Sequence, residues 1–553
     1  MTRTAAHALV DQLVIQGVRQ IFCVPGESYL PVLDALVGSE IELTVCRQEG
    51  GAAIMAEAVG KQTGRPGVCF VTRGPGATNA AHGVHIARQS ASPMILFAGQ
   101  VDRGVRGREA WQELDYPAVF GSMAKWAAEI DDADRIPEMV SRAFHVAMSG
   151  QPGPVVLALP HDMLLDATDA ADGGYAQAAE PAPAADEMAR LQALLGEAAS
   201  PLVLLGGSGW DAAAREAVMR FAERFELPVA TGFRRLPLFD PLHANYAGDL
   251  GLGANPALVA RAKAADLVLA IGEPLGEVTT QAYTLFDIPE PRARLVHVHP
   301  DPAELGRVWR PQLAIAASPR RFAAALDALP APASLAWRGS AAAAHAEYRG
   351  WSDAPTPQPG DVNLAEIIIW LREHLPADAI LTNGAGNFAA WVNRFYRVRR
   401  FGGHLGPNSG SMGYGVPAAV AMQRLHPGRR VVAVSGDGDF LMNGQEFATA
   451  VQYALPIVVL VFDNGAYGTI RMHQERDYPG RVIGTDLNNP DFAAYARAFG
   501  GFGATVTRTA DFAPAFEAAL ASGQPAILHV RFDPDGISPT QTLSAIRAAA
   551  LKR

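Results

Sequence analysis

Cysteine is nearly absent from this chain: 553 residues carry three, Cys23, Cys46 and Cys69. All three lie in or beside apolar, strand-like segments, so they read as buried reduced thiols rather than as a disulfide framework, a redox pair or a zinc site. No run approaches the roughly 20 apolar residues that a membrane span needs. The N-terminal MTRTAAHALVDQLVIQG is interrupted by His7 and Asp11, so it lacks the continuous apolar core of a signal peptide. There is no basic cluster, and with a formal net charge of −10 the chain does not fit a nucleic-acid surface. No short repeat is apparent. These absences lead to an expectation of a soluble cytoplasmic protein that acts on small molecules, with neither membrane nor nucleic acid as partner.

What is present is the composition of a large globular protein, 49% hydrophobic and 18% charged, over a length that suggests about three to four domains. From the N-terminus, amphipathic helices near Ala5–Gln16, Leu30–Val37 and Gly51–Gln62 alternate with short apolar runs at Gln20–Val24, Leu43–Cys46, Gly67–Thr72, Pro93–Ala98 and Pro154–Leu159. That alternation predicts a parallel α/β sheet. Composition shifts at Asp166 to a stretch rich in Ala, Asp, Gly and Pro, and again between Leu329 and Gly360; both read as linkers, the second with room for a short helix. Between them, apolar strands are expected at Leu202–Leu205, Pro228–Thr231, Leu267–Ile271 and Arg294–Val298, and after the second linker at Ala379–Thr382, Arg430–Val434, Ile457–Phe462 and Ala526–Val530. The expected fold class is α/β with three doubly wound parallel-sheet domains: residues 1–165, a linker 166–186, a central Rossmann-like domain 187–328, a linker 329–360, and a third domain 361–553.

The chain is organised around Val431–Gly468, VVAVSGDGDFLMNGQEFATAVQYALPIVVLVFDNGAYG. It reads as a buried strand, a tight acidic turn, a helix over Asn443–Tyr453 and a second buried strand ending at Asp463-Asn464-Gly465. In a βαβ unit the two strand ends can lie side by side. Asp437 and Asn464, 27 positions apart, can then converge on one hard cation with a backbone carbonyl near Ala466 as a third oxygen ligand. A few protein oxygens completed by substrate phosphate is how Mg²⁺ is usually held. Either GDG or DNG alone is more simply a turn; it is their joint spacing on consecutive strands that points to a metal.

Two further glycine-rich stretches and one carboxylate sit at comparable places. Glu49 follows the strand Leu43–Cys46 and precedes the helix opened by Gly50-Gly51, where by itself it is a favourable helix-start charge. Thr72-Arg73-Gly74-Pro75-Gly76-Ala77-Thr78-Asn79 is a glycine-rich turn between strand and helix, of the kind that lets backbone approach a flat ring. Gly406–Pro417, GPNSGSMGYGVP, precedes another helix; read by itself it is a flexible loop, with Met412 as core filling.

Together, GDG followed after about two dozen residues by Asn, and the stretches VPGESYLPVLDAL, CRQEGGAAIMAEAVGKQTGRPGVCFVTRGPGATNAAHGV, AGQV and WQELD, resemble thiamine diphosphate (ThDP) enzymes of the acetolactate synthase, pyruvate oxidase and benzaldehyde lyase group. The resemblance implies the domain order pyrimidine-binding, central, diphosphate-binding. It puts Glu49 at the place of the cofactor-activating glutamate, a buried carboxyl sharing a proton with an aminopyrimidine nitrogen. It makes Met412 the bulky residue that bends the cofactor, and it adds Pro25, Gly74, Asn79, Gly386, Asn387, Gly410, Gly436, Gly438, Asp439 and Gly468 as cofactor contacts. Asp437, Asn464 and Ala466 become the Mg²⁺ ligands. Gln112 is retained near the substrate, with Arg73, His85, Trp391 and His473 as further substrate candidates. The cofactor then lies between the first domain of one subunit and the third of another, in a homodimer or homotetramer.

Several positions depart from acetolactate synthases. Arg73 stands where TSGPGATN has Ser, Gln48 where RHEQGA has His, Glu27-Ser28 where the PGGAIMP turn has Gly-Ala, His161 where Lys is usual, and His473 where a Trp shapes the acceptor pocket. In the central domain, which in this group can hold FAD, the segment expected to carry an arginine and paired acids reads GEPLGEVTT, and a lone glycine-rich turn is weak support for a flavin. The expected activity is a ThDP- and Mg²⁺-dependent carboligase or decarboxylase on a 2-oxo acid. The alternatives are a benzaldehyde-lyase-like aldehyde lyase, a simple 2-oxo acid decarboxylase, a flavin-dependent oxidase and a catalytically silent homologue.

Overall fold

The computed structural model describes residues 2–332 and 334–552; Ala333, within the second expected linker, and both terminal residues lie outside the described residues. Three six-stranded sheets, all parallel, form the frame. The first runs across in the order Glu42–Val45, Gln20–Cys23, Gly67–Val71, Met94–Gln100, Pro154–Pro160, Trp126–Glu129. The central one runs Tyr246–Leu250, Val229–Gly232, Pro201–Leu205, Leu267–Ile271, Arg294–His299, Leu313–Ala316. The last runs His404–Leu405, Ile380–Asn383, Val431–Gly436, Val458–Asp463, Ala526–Arg531, Phe502–Val506. The α/β class read from the sequence therefore holds, and Leu267–Ile271 has the bounds read from its apolar run.

Numbered along the chain, the first and last sheets share one order, 2-1-3-4-6-5, while the central sheet has 3-2-1-4-5-6. The chain thus contains one topology twice, a repeat of whole domains that leaves no short sequence period. In open parallel sheets, ligands bind at the carboxyl ends of strands, where the order reverses. In each of the two like sheets that end is reached by the loops after strands 1, 2, 3 and 4. Glu49 and Met412 both follow a second strand, and Arg73 and Asp437 both follow a third.

The molecule divides into two compact units. The first joins residues 1–179 to 407–428 and 441–457; the second comprises 180–406, 429–440 and 458–553. The first is built on fully buried strands such as Gly67–Val71 and Met94–Gln100, whose uninterrupted apolar character is that of sheets covered on both faces. The three cysteines are all buried, and burial pushes the Cys23 thiol up to about 12, which fits inert reduced thiols.

Two local expectations are corrected. The GPGATN segment is not a turn but the first turns of the helix Gly74–Ser90, entered through Pro75, which belongs in a first helical turn. The GDG turn is likewise helical: Asp437 opens the helix Asp437–Asn443, and the expected helix over Asn443–Tyr453 is instead a single 3₁₀ turn, Gly444–Glu446, followed by Phe447–Gln452. Within residues 329–360 lies a 13-residue helix, Ser340–Ser352, whose Tyr348 joins the core of the central sheet. Among the described residues, no helix is long and apolar enough to cross a membrane.

Candidate active site

Each unit carries one cluster of candidate site residues. In the first unit, Glu49 is the first residue of the helix Glu49–Thr63, whose N-terminus is capped by the Gln48 side chain accepting from the Gly51 N–H. A carboxylate there benefits from the unpaired N–H groups of the first turn. Asn79, in the second turn of Gly74–Ser90, donates from Nδ2 to Glu49 Oε2 at 2.9 Å. Space beside this pair is kept by glycine: a Cβ on Gly76 would lie 3.4 Å from Glu49 Oε1 and 2.9 Å from Thr72 Cγ2. Within one chain Glu49 is half-buried.

Around it, Ser28 and Thr72 share a hydrogen bond of 3.0 Å, and Arg73 Nη1 pairs with Glu27 Oε1 at 3.2 Å. Gln112 is held at φ 68°, and its carbonyl accepts from Gly74 N at 3.0 Å. The side-chain Oε1 of Gln112 and the Nε of Arg73 are buried and make no hydrogen bond, so polar capacity is left over at this strand end. His85 is not brought in. It lies six residues beyond Asn79, about 240° around the helix at 100° per residue, and is exposed. Pro25 lies one residue before Gly26, whose missing side chain lets Thr72 Cβ approach to within 2.6 Å of a would-be Cβ.

The same unit contains Gly410, at φ 66°, and the half-buried Met412. Asn443 Nδ2 donates to the Gly413 carbonyl at 3.0 Å, and Tyr414 OH donates to Glu57 Oε2 at 2.7 Å. Glu57, with no exposed surface, sits two turns along the helix that Glu49 opens; it also accepts from Ser92 Oγ at 2.7 Å and lies 3.3 Å from Lys61 Nζ. At the start of that helix, the fully buried Glu446 accepts through Oε1 from the N–H groups of Arg47 and Gln48, at 3.0 and 2.9 Å, and through Oε2 from Thr449 Oγ1 at 2.6 Å. Glu446 therefore anchors the backbone that carries Glu49. Replacing Glu446 by Ala leaves two part-buried N–H groups without their acceptor and is expected to cost on the order of 1–3 kcal/mol in a urea unfolding curve, with Thr449→Val costing about 1.

In the second unit, strand pairing sets Gly436 beside Phe462, which brings Asp437 level with Asp463 and one residue short of Asn464. The expected side-by-side strand ends are thus present. Asp437, 4% exposed, accepts through Oδ1 from Gly438 N at 2.9 Å and through Oδ2 from Asn489 Nδ2 at 2.7 Å. Asn489 Nδ2 also reaches Asp463 Oδ1 at 2.8 Å, and Asp463 Oδ2 lies 2.7 Å from His529 Nε2. Burial pushes the Asp437 carboxyl up, aided by the Asp463 charge. Burial would raise Asp463 as well, but the His529 imidazole, the Gly465 N–H and the Asn489 amide hold it below the usual range. Two acids side by side and largely out of water are a place where a cation lowers the energy. Among the described residues no group of three or more His, Cys, Asp or Glu side chains is arranged to hold a metal. A metal bound here depends on one carboxylate, an amide and a carbonyl, with phosphate completing the shell, which fits Mg²⁺.

Glycines again keep the site open. A Cβ on Gly438 would lie 2.6 Å from the Tyr467 ring and one on Gly436 2.9 Å from Phe388. Asp439 turns its carboxylate to the neighbouring loop, accepting from Ala385 N at 3.1 Å, which leaves only its backbone for a phosphate. The side chain of Asn387 is engaged with Ile537 O and Thr469 Oγ1, so it positions the loop that carries Gly386. Gly468 opens the helix Gly468–Asp477, which carries the half-buried His473 with its Nδ1 unbonded. Asn464 Oδ1 lies 3.3 Å from Ala466 N. Trp391 is corrected as a substrate candidate: only 1% exposed, it packs among Phe395, Leu381 and Val434 in the core of the last sheet.

Sequence reading missed Glu57, Glu446, Asn489 and His529. Each acts on residues far along the chain, with no local pattern to mark it; Asp463 was visible only as part of a turn.

Three family models match in chain order: "Thiamine pyrophosphate enzyme, N-terminal TPP binding domain" over residues 3–119, its central domain over 188–328, and its C-terminal TPP binding domain over 384–530. Similar proteins include an acetolactate synthase large subunit of Parasynechococcus marenigrum, 33% identical over 96% of this chain and 88% of that protein. Acetolactate synthase isozyme 2 large subunit of Escherichia coli is 31% identical over 96% and 95%, and acetolactate synthase 1, chloroplastic, of Zea mays is 32% identical over 96% and 85%. The chain belongs to the thiamine pyrophosphate enzyme family, whose cofactor is thiamine diphosphate.

Proposed function

We propose that the chain is a ThDP- and Mg²⁺-dependent carboligase that takes a 2-oxo acid as donor, in the manner of the acetolactate synthases to which it is similar. The observation that carries this reading is Glu49, a carboxylate at a helix start, oriented by Asn79 beside space kept free at Gly76. The bound cofactor supplies a nucleophilic thiazolium carbon and a sink for the electrons released on decarboxylation. Glu49 holds or releases the proton at the aminopyrimidine ring nitrogen. Asp437, Asn464 and the Ala466 carbonyl would hold Mg²⁺, and the N–H of Asp439, in the first turn of the helix that Asp437 opens, would favour a diphosphate. Met412 and the Gly410 carbonyl shape and orient the cofactor's head. The Glu49 cluster of one copy of the chain would meet the Asp437 cluster of another, so a dimer is the smallest active unit and a tetramer is compatible; activity from a species that sediments as a monomer would contradict this.

A second reading, aldehyde lyase or simple decarboxylase, is favoured by one observation: Arg73 is already paired with Glu27. An arginine so engaged offers less to the carboxylate of an acceptor acid. Supplying 2-oxo acids and aldehydes, singly and in pairs, with ThDP and Mg²⁺ and identifying products by mass spectrometry separates the readings. Hydroxy-oxo acids from paired 2-oxo acids support the first, hydroxyketones or free aldehydes the second.

A further inference from the structure

The central sheet has the 3-2-1-4-5-6 order of a dinucleotide-binding domain, with its switch point between Pro201–Leu205 and Leu267–Ile271. A dinucleotide at such a crevice needs room at a glycine-rich turn after the first strand, open N–H groups at the following helix start, and an acid at the end of the second strand for the ribose. The turn is present as Gly206-Gly207-Ser208-Gly209, but its room is already used. A Cβ on Gly206 would lie 1.8 Å from Glu273 Oε2, and one on Gly232, at the end of the neighbouring strand, 2.1 Å from the same atom. Both glycines accommodate one carboxylate. A Cβ on Gly207 would lie 1.8 Å from the Gly272 carbonyl oxygen, so that glycine too serves close packing of backbone.

The other two requirements also fail. The helix Ala212–Arg224 is capped by its own Asp211, which accepts from Ala214 N at 2.7 Å. The second strand ends in Thr231-Gly232 with no acid. Glu273 is 4% exposed, held by the Thr279 hydroxyl and the N–H groups of Leu275 and Gly276, with Arg235 as the charge that acts on it. A diphosphate there would have to displace these bonds to Glu273, or set a second negative charge beside its ionised form in a poorly solvated place.

We propose that Glu273 occupies the switch-point crevice in place of a nucleotide, and that the central domain binds neither FAD nor another adenine dinucleotide there. This stands apart from the reading of the ThDP site, and it removes the flavin-dependent oxidase alternative.

The test uses the full-length protein purified with ThDP and Mg²⁺. No visible flavin band is expected, and equilibrium dialysis against FAD and against ADP should show no saturable uptake. One equivalent of flavin per chain, retained through gel filtration and displaced by ADP, overturns the proposal. A second readout is thermal unfolding of Glu273→Gln against pH. Burial pushes Glu273 up to about 7. The folded state therefore holds a proton that the unfolded chain releases near the ordinary glutamate range, and this contribution to stability is lost as pH rises through about 7. Arg235 stays charged throughout, and His297, whose Nε2 lies 2.9 Å from the Glu273 carbonyl oxygen, is lowered by burial to about 4 and stays neutral. The melting temperature of Glu273→Gln minus that of the parent should thus rise with pH from about 4.5 to about 7 and level off above. A difference that does not vary with pH means that the carboxylate is solvated and the crevice open, and the proposal fails.

Discussion

Glu49→Gln is expected to lower turnover by about 10² to 10⁴, while the melting temperature and the affinity for ThDP with Mg²⁺ change little. Gln keeps the shape of the side chain and can still meet Asn79, which now donates to Glu49 Oε2. What it cannot do is take up and return a proton. The defect should therefore appear as slowed hydrogen–deuterium exchange at the thiazolium carbon, followed by NMR in the loaded protein, in proportion to the loss of turnover. If turnover is unchanged, Glu49 is not the activating group and the proposed mechanism is wrong. Asn79→Ala should give a smaller loss in the same exchange rate, because it removes the orienting donor and leaves the carboxylate in place.

Asp437→Asn is expected to separate cofactor retention from fold stability, moving them in opposite directions. In the absence of cofactor, the wild-type carboxylate is buried beside Asp463 with only the Gly438 N–H and the Asn489 amide to compensate it. A neutral amide removes that repulsion, so the unliganded variant should melt at or above the parent temperature. With Mg²⁺ and ThDP present at about a hundred times the parent dissociation constant, the parent gains about 2.7 kcal/mol, and the variant should gain little of it. Differential scanning calorimetry with and without the two ligands shows both effects. An undiminished gain in the variant would remove Asp437 from the metal site.

The sequence made most of the frame legible because strands buried on both faces read as continuous apolar runs. The strands of the three sheets that went unread, Trp126–Glu129, Tyr246–Leu250, Leu313–Ala316, His404–Leu405 and Phe502–Val506, are all edges. Edge strands carry mixed residues; Leu313–Ala316 alternates buried and exposed, and Trp126–Glu129 is half-exposed throughout. Glycine misled at two points, GPG and GDG, where it opens helices rather than making turns. At the site, the residues that precede or open helices at strand ends were legible because chemistry concentrates there. The residues that hold them were not: Glu446 lies 399 positions from Arg47, and His529 66 positions from Asp463.

The unit that carries Glu49 is assembled from three separate stretches of chain, the last two of them 407–428 and 441–457. During synthesis, residues 1–179 leave the ribosome with Glu57 still lacking Tyr414, and with the N–H groups of Arg47 and Gln48 still lacking Glu446. They must wait in that state while residues 180–406 are made. The N-terminal third is therefore a nascent segment that the chain completes late, and a truncated product ending before residue 414 would leave Glu57 without Tyr414 and the Arg47 and Gln48 N–H groups without Glu446. The feature that fixes Glu49, the proposed activating carboxylate, thus also decides when in the life of the chain that carboxylate can first be in place.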